Sequence, residues 1–208
     1  MLPSFLTHGG PVLWLLLIAS GVGIVTFIER ALYIHRARIN STEFLNGVRN
    51  VLKRDNVVEA LSICEATPGP VARLVKVAIL NRDAGRERVQ EALEEAGLLE
   101  VPRLEAKLNL LATIAQIAPL LGLLGTTLGF MQIFGQIEQA GLYAQISQLS
   151  QGVWQALTCT AAGLGVAIPT YAGYNFLVSR VNEVVLDMER AATEIVHVVT
   201  AGTAGSPP

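Results

Sequence analysis

Charged residues fall along this chain in blocks, and the apolar stretches between the blocks are long enough to cross a membrane. Residues 1–29 hold no Lys or Arg, and thirteen of the 15 basic residues lie between Arg30 and Lys107. Residues 108–179 again hold none, with Glu138 as their only acid, and Arg180 and Arg190 complete the basic set. About 20 apolar helical residues cross the roughly 30 Å of bilayer hydrocarbon. The first uncharged run therefore predicts one span over 11–29 ("PVLWLLLIASGVGIVTFIE"), behind a short N-terminus at 1–10. The second run is too long for one span. Its polar break at 138–151 ("EQAGLYAQISQLSQ") divides it into spans at 108–137 and 152–179.

Between the spans the period changes to that of amphipathic helices. Asn40 and Asn56 each precede a Glu by three residues (Glu43, Glu59), the spacing of a capping box. Phe44, Val48, Val51 and Leu52 make one apolar stripe, and Val57, Ala60, Leu61 and Cys64 another. "TPGP" at 67–70 breaks the chain before a helix with Val71, Leu74, Val75, Ala78 and Ile79 on one face. A fourth helix carries Val89, Ala92, Leu93, Ala96 and Leu99. From Leu104 the pattern enters the second span without a breaker, which predicts a helix projecting into the cytoplasm. The third span continues past Arg180 through Val181, Val184, Val185, Met188, Ala192 and Ile195 to a flexible end, "AGTAGSPP". No β signal occurs. The expected fold is an all-α membrane protein whose second and third membrane helices are long and extend into a cytoplasmic helical domain made of 30–107 and 180–208.

Composition agrees with this division: 51% of residues are hydrophobic and 15% charged, with a mean hydropathy of +0.48. A soluble domain carries about 25% charged residues. Arg30, Arg36, Arg38 and Arg180 flank the spans on one side, and the positive-inside rule makes that side cytoplasmic. The N-terminus and 138–151 then lie outside, with Trp14, Tyr143 and Trp154 near the outer interface. No basic residue precedes the first span and no small-residue cleavage site follows it, so a retained anchor is expected rather than a cleaved leader. Cys64 and Cys159 fall in different compartments, so neither a disulfide nor a metal site is expected. "GLLGTTLG" follows no strand and lacks the lysine of a phosphate loop. No hydrolytic triad or nucleic-acid-binding pattern is present, and nothing calls for a cofactor.

The polar residues inside the spans carry the chemistry. Ala115, Ala118, Gly122, Gly125, Thr126 and Gly129 fall on one stripe of the second span, and Gly152, Ala156, Thr160, Gly163 and Ala167 on one stripe of the third. Small residues let helix backbones approach closely, and a threonine hydroxyl can bond across helices or back to its own i−4 carbonyl. Each stripe has one central threonine, which predicts a shared polar seam. Gln155 lies five residues before Thr160, about 7.5 Å along the axis and about 140° around it, and Thr158 shares its side of the helix. Neither amide nor hydroxyl changes protonation state near neutral pH, so a proton crossing here needs a titratable residue from a partner.

At "APLLGLLGTTLGFM" (118–131), "GVWQALTCTAAGLGVAIP" (152–169), "YN" (174–175) and "CEATPGPVARLVKVAI" (64–79), the chain resembles the MotA/TolQ/ExbB proton-channel family. The likeness covers nearly the whole chain, and its three spans and length resemble the ExbB/TolQ branch. The resemblance implies a homo-oligomeric ring, a pentamer in the known cases, in the bacterial inner membrane. It also implies a single-span ExbD- or TolR-like partner inside the ring, whose helix carries an aspartate, and beyond it a TonB- or TolA-like protein. By motif position Thr126 and Thr160 correspond to the family's lumen-facing, proton-path threonines. Gln155 stands where TolQ and ExbB usually have a glutamate, a departure from the pattern.

The expected function is that of a stator subunit, not an enzyme, coupling the proton motive force to movement of the partner and so energising outer-membrane or envelope processes. The alternative is a structural scaffold that holds a partner helix without conducting ions. A solute transporter would need an intramembrane charged site or a second half-repeat, and neither is present.

Overall fold

A computed structural model describes residues 10–140 and 146–203. Their regular structure is helical, with no strand among the described residues. In chain order the helices are α1 (Gly10–Ala37), α2 (Ser41–Leu52), α3 (Val57–Ala66), α4 (Pro70–Leu80), α5 (Arg86–Glu105), α6 (Leu108–Ala140) and α7 (Ile146–Thr203), with a 3₁₀ turn at Arg82–Ala84. Three helical stretches are long and apolar enough to cross a membrane, by length and composition. The expected outer N-terminus, apart from Gly10, and Tyr143 lie outside the described residues. So does the end of the tail, although α7 carries helix through Thr203, into the segment expected to be flexible.

The chain divides into two compact units, Met1–Glu29 with Lys107–Phe176, and Arg30–Ala106 with Leu177–Pro208. In the first, α1, α6 and α7 meet around Leu16, Ala118 and Ala167, with Leu121, Ala162 and Val166 packed against them. A Cβ on Gly173 would lie 3.0 Å from the Phe27 ring, and one on Gly23 would lie 3.7 Å from Thr170 Oγ1. Trp14, Leu15, Ile18, Val25, Leu120, Phe134 and Ile168 point outward, as expected of a surface that faces lipid.

The second unit is built around α4, where Val71, Leu74, Val75, Ala78 and Ile79 are all buried together with Pro70 and Ala72. Asn40 and Asn56 cap α2 and α3: their side-chain oxygens accept from the Glu43 and Glu59 amides at 3.4 and 3.2 Å. The Glu43 and Glu59 carboxylates in turn accept from the asparagine side-chain amides, at 3.2 and 2.8 Å, rather than from the backbone. Gly69 is required by its φ of +122°, and a Cβ there would sit 2.7 Å from the Ala37 carbonyl oxygen. Pro70 then starts α4, where its missing N–H costs nothing.

Two local expectations are corrected here. Leu99 is exposed, and Glu100 takes the inward position seven residues after Leu93. Its carboxylate lies 2.7 Å from Arg73 Nη2 and accepts from Arg103 Nη1 at 2.8 Å, so the buried charge is compensated. The helix expected to run unbroken from Leu104 into the second span is interrupted: α5 ends at Glu105, and Lys107 has a φ of 63°. A side chain with a Cβ resists this left-handed conformation, and the Lys107 ammonium is held there by the Glu29 carboxylate.

Along α7, Val181, Val184, Met188, Ala191 and Ile195 are buried. Arg38 pairs with Glu183 at 3.1 Å, and Arg49 pairs with Glu194. Cys64 is 4% exposed, and burial pushes its thiol up from 9.0 to about 11 against the opposing pull of Lys76.

Asn56→Ala is expected to cost about 1 kcal/mol through loss of the α3 cap, read as a lower midpoint in thermal denaturation. Cys64 binds its proton more tightly folded than unfolded, so its contribution is complete below pH 9 and is lost as pH rises through about 11. Chemical denaturation should therefore become easier across that window, and less so in Cys64→Ala.

Candidate functional site

The α6–α7 contact is built by omission of side chains. A Cβ on Gly163 would lie 2.7 Å from the Ala118 carbonyl oxygen and 2.9 Å from Gly122 Cα. One on Gly122 would lie 3.0 Å from the Cys159 carbonyl oxygen and 3.2 Å from Thr160 Cα. Gly125 faces Cys159, Gly129 faces Ala156, and Gly152 faces Ile133. The helices run antiparallel and touch backbone to backbone. Without a hydrophobic force between apolar surfaces in lipid, such contact supplies the dispersion and hydrogen bonding that join membrane helices.

Thr126 and Thr160 meet at the centre of this seam. Their hydroxyls bond each other. Thr126 Oγ1 is also 3.1 Å from the Gly122 carbonyl on its own helix and 3.1 Å from the Ala156 carbonyl across the seam. Thr160 Oγ1 lies 3.4 Å from the Gly122 carbonyl. Two hydroxyls and two carbonyls thus share two hydroxyl protons, with three such contacts at Thr126 Oγ1 and two at Thr160 Oγ1. The cluster can reorient protons within hydrogen bonds but cannot gain or lose one near neutral pH.

The other polar residues stand apart. Gln155 and Thr158 are half-buried on α7. Trp154 beside them is 70% exposed. Thr127 is exposed and bonds back to the Leu124 carbonyl at 2.8 Å. Glu138 is exposed near the end of α6. No group of His, Cys, Asp and Glu that could hold a metal ion occurs among the described residues. Sequence reasoning missed Cys159, which packs on Gly125. Its place, three residues after Ala156 and four before Gly163, carried the signal.

Gly163→Ala is expected to force α6 and α7 apart, at a cost of about 1–3 kcal/mol, visible as a lower thermal midpoint in detergent. Gly165→Ala has nothing within 4 Å of the added Cβ and should leave that midpoint unchanged.

Residues 66–190 match the model of the MotA/TolQ/ExbB proton channel family. An ExbB homolog of Methanothermobacter thermautotrophicus is 27% identical over 178 residues, 85% of this chain and 63% of its own length. The biopolymer transport protein ExbB of Neisseria gonorrhoeae is 29% identical over 78% of this chain and 79% of its own length. The Tol-Pal system protein TolQ of Haemophilus influenzae is 34% identical over 52% of this chain and 47% of its own. The chain spans less than two thirds of the Methanothermobacter relative. With its three membrane-length helices and its two-part motif, the chain is a multi-pass membrane protein of the MotA/TolQ/ExbB proton channel family, in the ExbB/TolQ branch.

Proposed function

We propose that this protein is the stator subunit of an inner-membrane proton channel. Copies of it surround a single-span ExbD- or TolR-like partner, in a ring that we take to be a pentamer, and ion flow along the partner moves it. The motion passes to a TonB- or TolA-like protein and so to the outer membrane or envelope. The N-terminus and the 138–151 segment lie outside, and the 30–107 and C-terminal helices lie in the cytoplasm.

The observation that carries this reading is the Thr126–Thr160 pair, a cluster of hydroxyls and carbonyls in a stretch, 108–179, with no Asp, Lys, Arg or His and Glu138 as its only acid. A carboxylate on a partner helix would find hydrogen-bond partners there that lipid does not offer. The partner's aspartate takes and releases the proton. The threonines accept or donate to it and order water beside it. The chain makes and breaks no covalent bond in this cycle and needs no cofactor.

Gln155 favours a second reading, a scaffold that holds the partner helix without conducting. An amide at the position where relatives of this branch carry a glutamate cannot relay a proton. The two readings part on Thr126→Ala combined with Thr160→Ala, co-expressed with the partner. A stator loses proton leak and envelope energisation by about 10-fold or more, as expected for loss of a positioned hydrogen-bonding pair, while partner binding persists. Unchanged leak and energisation in the double variant would leave the scaffold reading standing.

A further inference from the structure

The second unit holds a cavity of about 370 Å³ between α4, α5 and α7. Leu74, Leu93, Val101, Val185, Met188 and Val196 supply its apolar lining. Leu74, Leu93, Met188 and Val196 belong to the buried core, so the fold fixes the floor. One wall is α5 from Arg86 to Val101, and the other is α7 from Val185 to His197. At 1.5 Å per residue these stretches are about 22 and 18 Å long. The cavity is therefore a trough between two helices, and its length is that of a third helix of about 12–15 residues.

Its chemistry selects among occupants. A site for a small polar ligand aims a few polar groups into the pocket. The buried side-chain atoms without a hydrogen-bond partner among the described residues belong to Arg30, Ser41 and Glu100, and none of these lines the trough. What it offers is an apolar floor with charge on exposed edges. Glu94 and Glu189 stand within the two walls, whereas Arg86 opens α5 and His197 is the last lining position of α7. Leu98 follows Glu94 by one turn and Leu186 precedes Glu189 by one turn, and they are 76% and 51% exposed. Each wall thus carries an acid with an open leucine beside it. Gly97 leaves room over the floor, since a Cβ there would meet nothing within 4 Å. Apolar surface left open on charged helices marks an interaction site.

We infer that this trough binds a basic amphipathic helix, supplied by the cytoplasmic end of the single-span partner. Such a helix seats apolar side chains at i, i+3 or i+4 and i+7 on the floor. Lys or Arg between those anchors pair with Glu94 and Glu189. The choice of partner rests on the stator reading: the positive-inside rule enriches Lys and Arg at the cytoplasmic end of a membrane helix, and that charge complements the two acids. A second copy of this chain fits less well. Its exposed α5 leucines, Leu98 and Leu99, each follow an acid by one turn, Glu94 and Glu95, and would set acid against acid. The trough gives the partner a point of attachment separate from the threonine pair.

The test titrates a fluorescent leucine–lysine helix of about 14 residues with the full chain in zwitterionic nanodiscs, subtracting the signal of empty nanodiscs. A leucine–glutamate helix of the same pattern is the control. The lysine helix should bind about 10-fold or more tightly than the glutamate helix, and added salt should weaken it. Gly97→Phe fills the trough and should weaken binding about 10-fold. Gly47→Phe, on α2 where a Cβ also meets nothing within 4 Å, should not. Glu94→Gln combined with Glu189→Gln, both at exposed positions, should remove the preference for lysine and the salt dependence. Binding no stronger than to empty nanodiscs, or equal binding of the two helices, overturns the inference. So does an affinity that neither Gly97→Phe nor the double glutamine variant changes. If Gly97→Phe lowers the thermal midpoint, the double glutamine variant decides alone. If Gly97→Phe shifts the sedimentation of the unliganded chain to a smaller species, the trough is a contact between copies and the inference falls. None of these readings depends on ion flow. A chain that binds the lysine helix but fails the leak test keeps the basic-helix site and loses the stator reading.

Discussion

The first unit depends on one contact, the approach of α6 and α7 to backbone distance along Ala118, Gly122, Gly125, Gly129, Ala156 and Gly163. In water, apolar side chains on two helices would gain by leaving solvent. In lipid that gain is absent, because acyl chains solvate a leucine as well as another leucine does. What remains is the density of atom pairs and the hydrogen bonds that close approach allows. Glycine serves both purposes. It removes the Cβ that would hold the helices apart, and it brings the carbonyls of Gly122 and Ala156 within reach of two threonine hydroxyls. The polar centre follows from the close packing around it.

The second unit is held by different means. Its core is an ordinary aliphatic one around α4, and its charged residues are paired rather than excluded. Glu100 is buried between two guanidiniums, and Arg30 is buried on helix carbonyls. Arg49 and Glu194 join α2 to α7. The same chain thus uses water's dislike of apolar surface in one unit and dispenses with it in the other. The change falls where charged residues resume in the sequence.

How much of this was legible depended on how local the cause is. The seam could be read because small residues at three- and four-residue spacing, each stripe with one threonine, have few uses in a membrane helix. The caps at Asn40 and Asn56 could be read because the interaction spans three residues. The break at Lys107 could not, because its neighbours are helix formers and the carboxylate that pairs with it, Glu29, lies 78 positions earlier in the chain. Glu100 was hidden for a similar reason. A glutamate on a charged helix reads as solvated until the position of Arg73 is known. Gln155 was visible as a departure from the motif, and its half-buried position beside Trp154 leaves its environment defined by whatever packs against α7.

The lack of Asp, Lys, Arg and His from 108 to 179, with Glu138 as the only acid, has an arithmetical consequence for the proposed stator. Each added copy of this chain adds another hydroxyl pair, hence another stopping place for the partner, but it adds no charge carrier to the membrane. Under that proposal the number of ions moved per working stroke would be set by the partner helices alone. The number of stops in a cycle would be set by the proposed ring. Gear ratio and charge would be inherited from two different proteins, and either could change in evolution without the other.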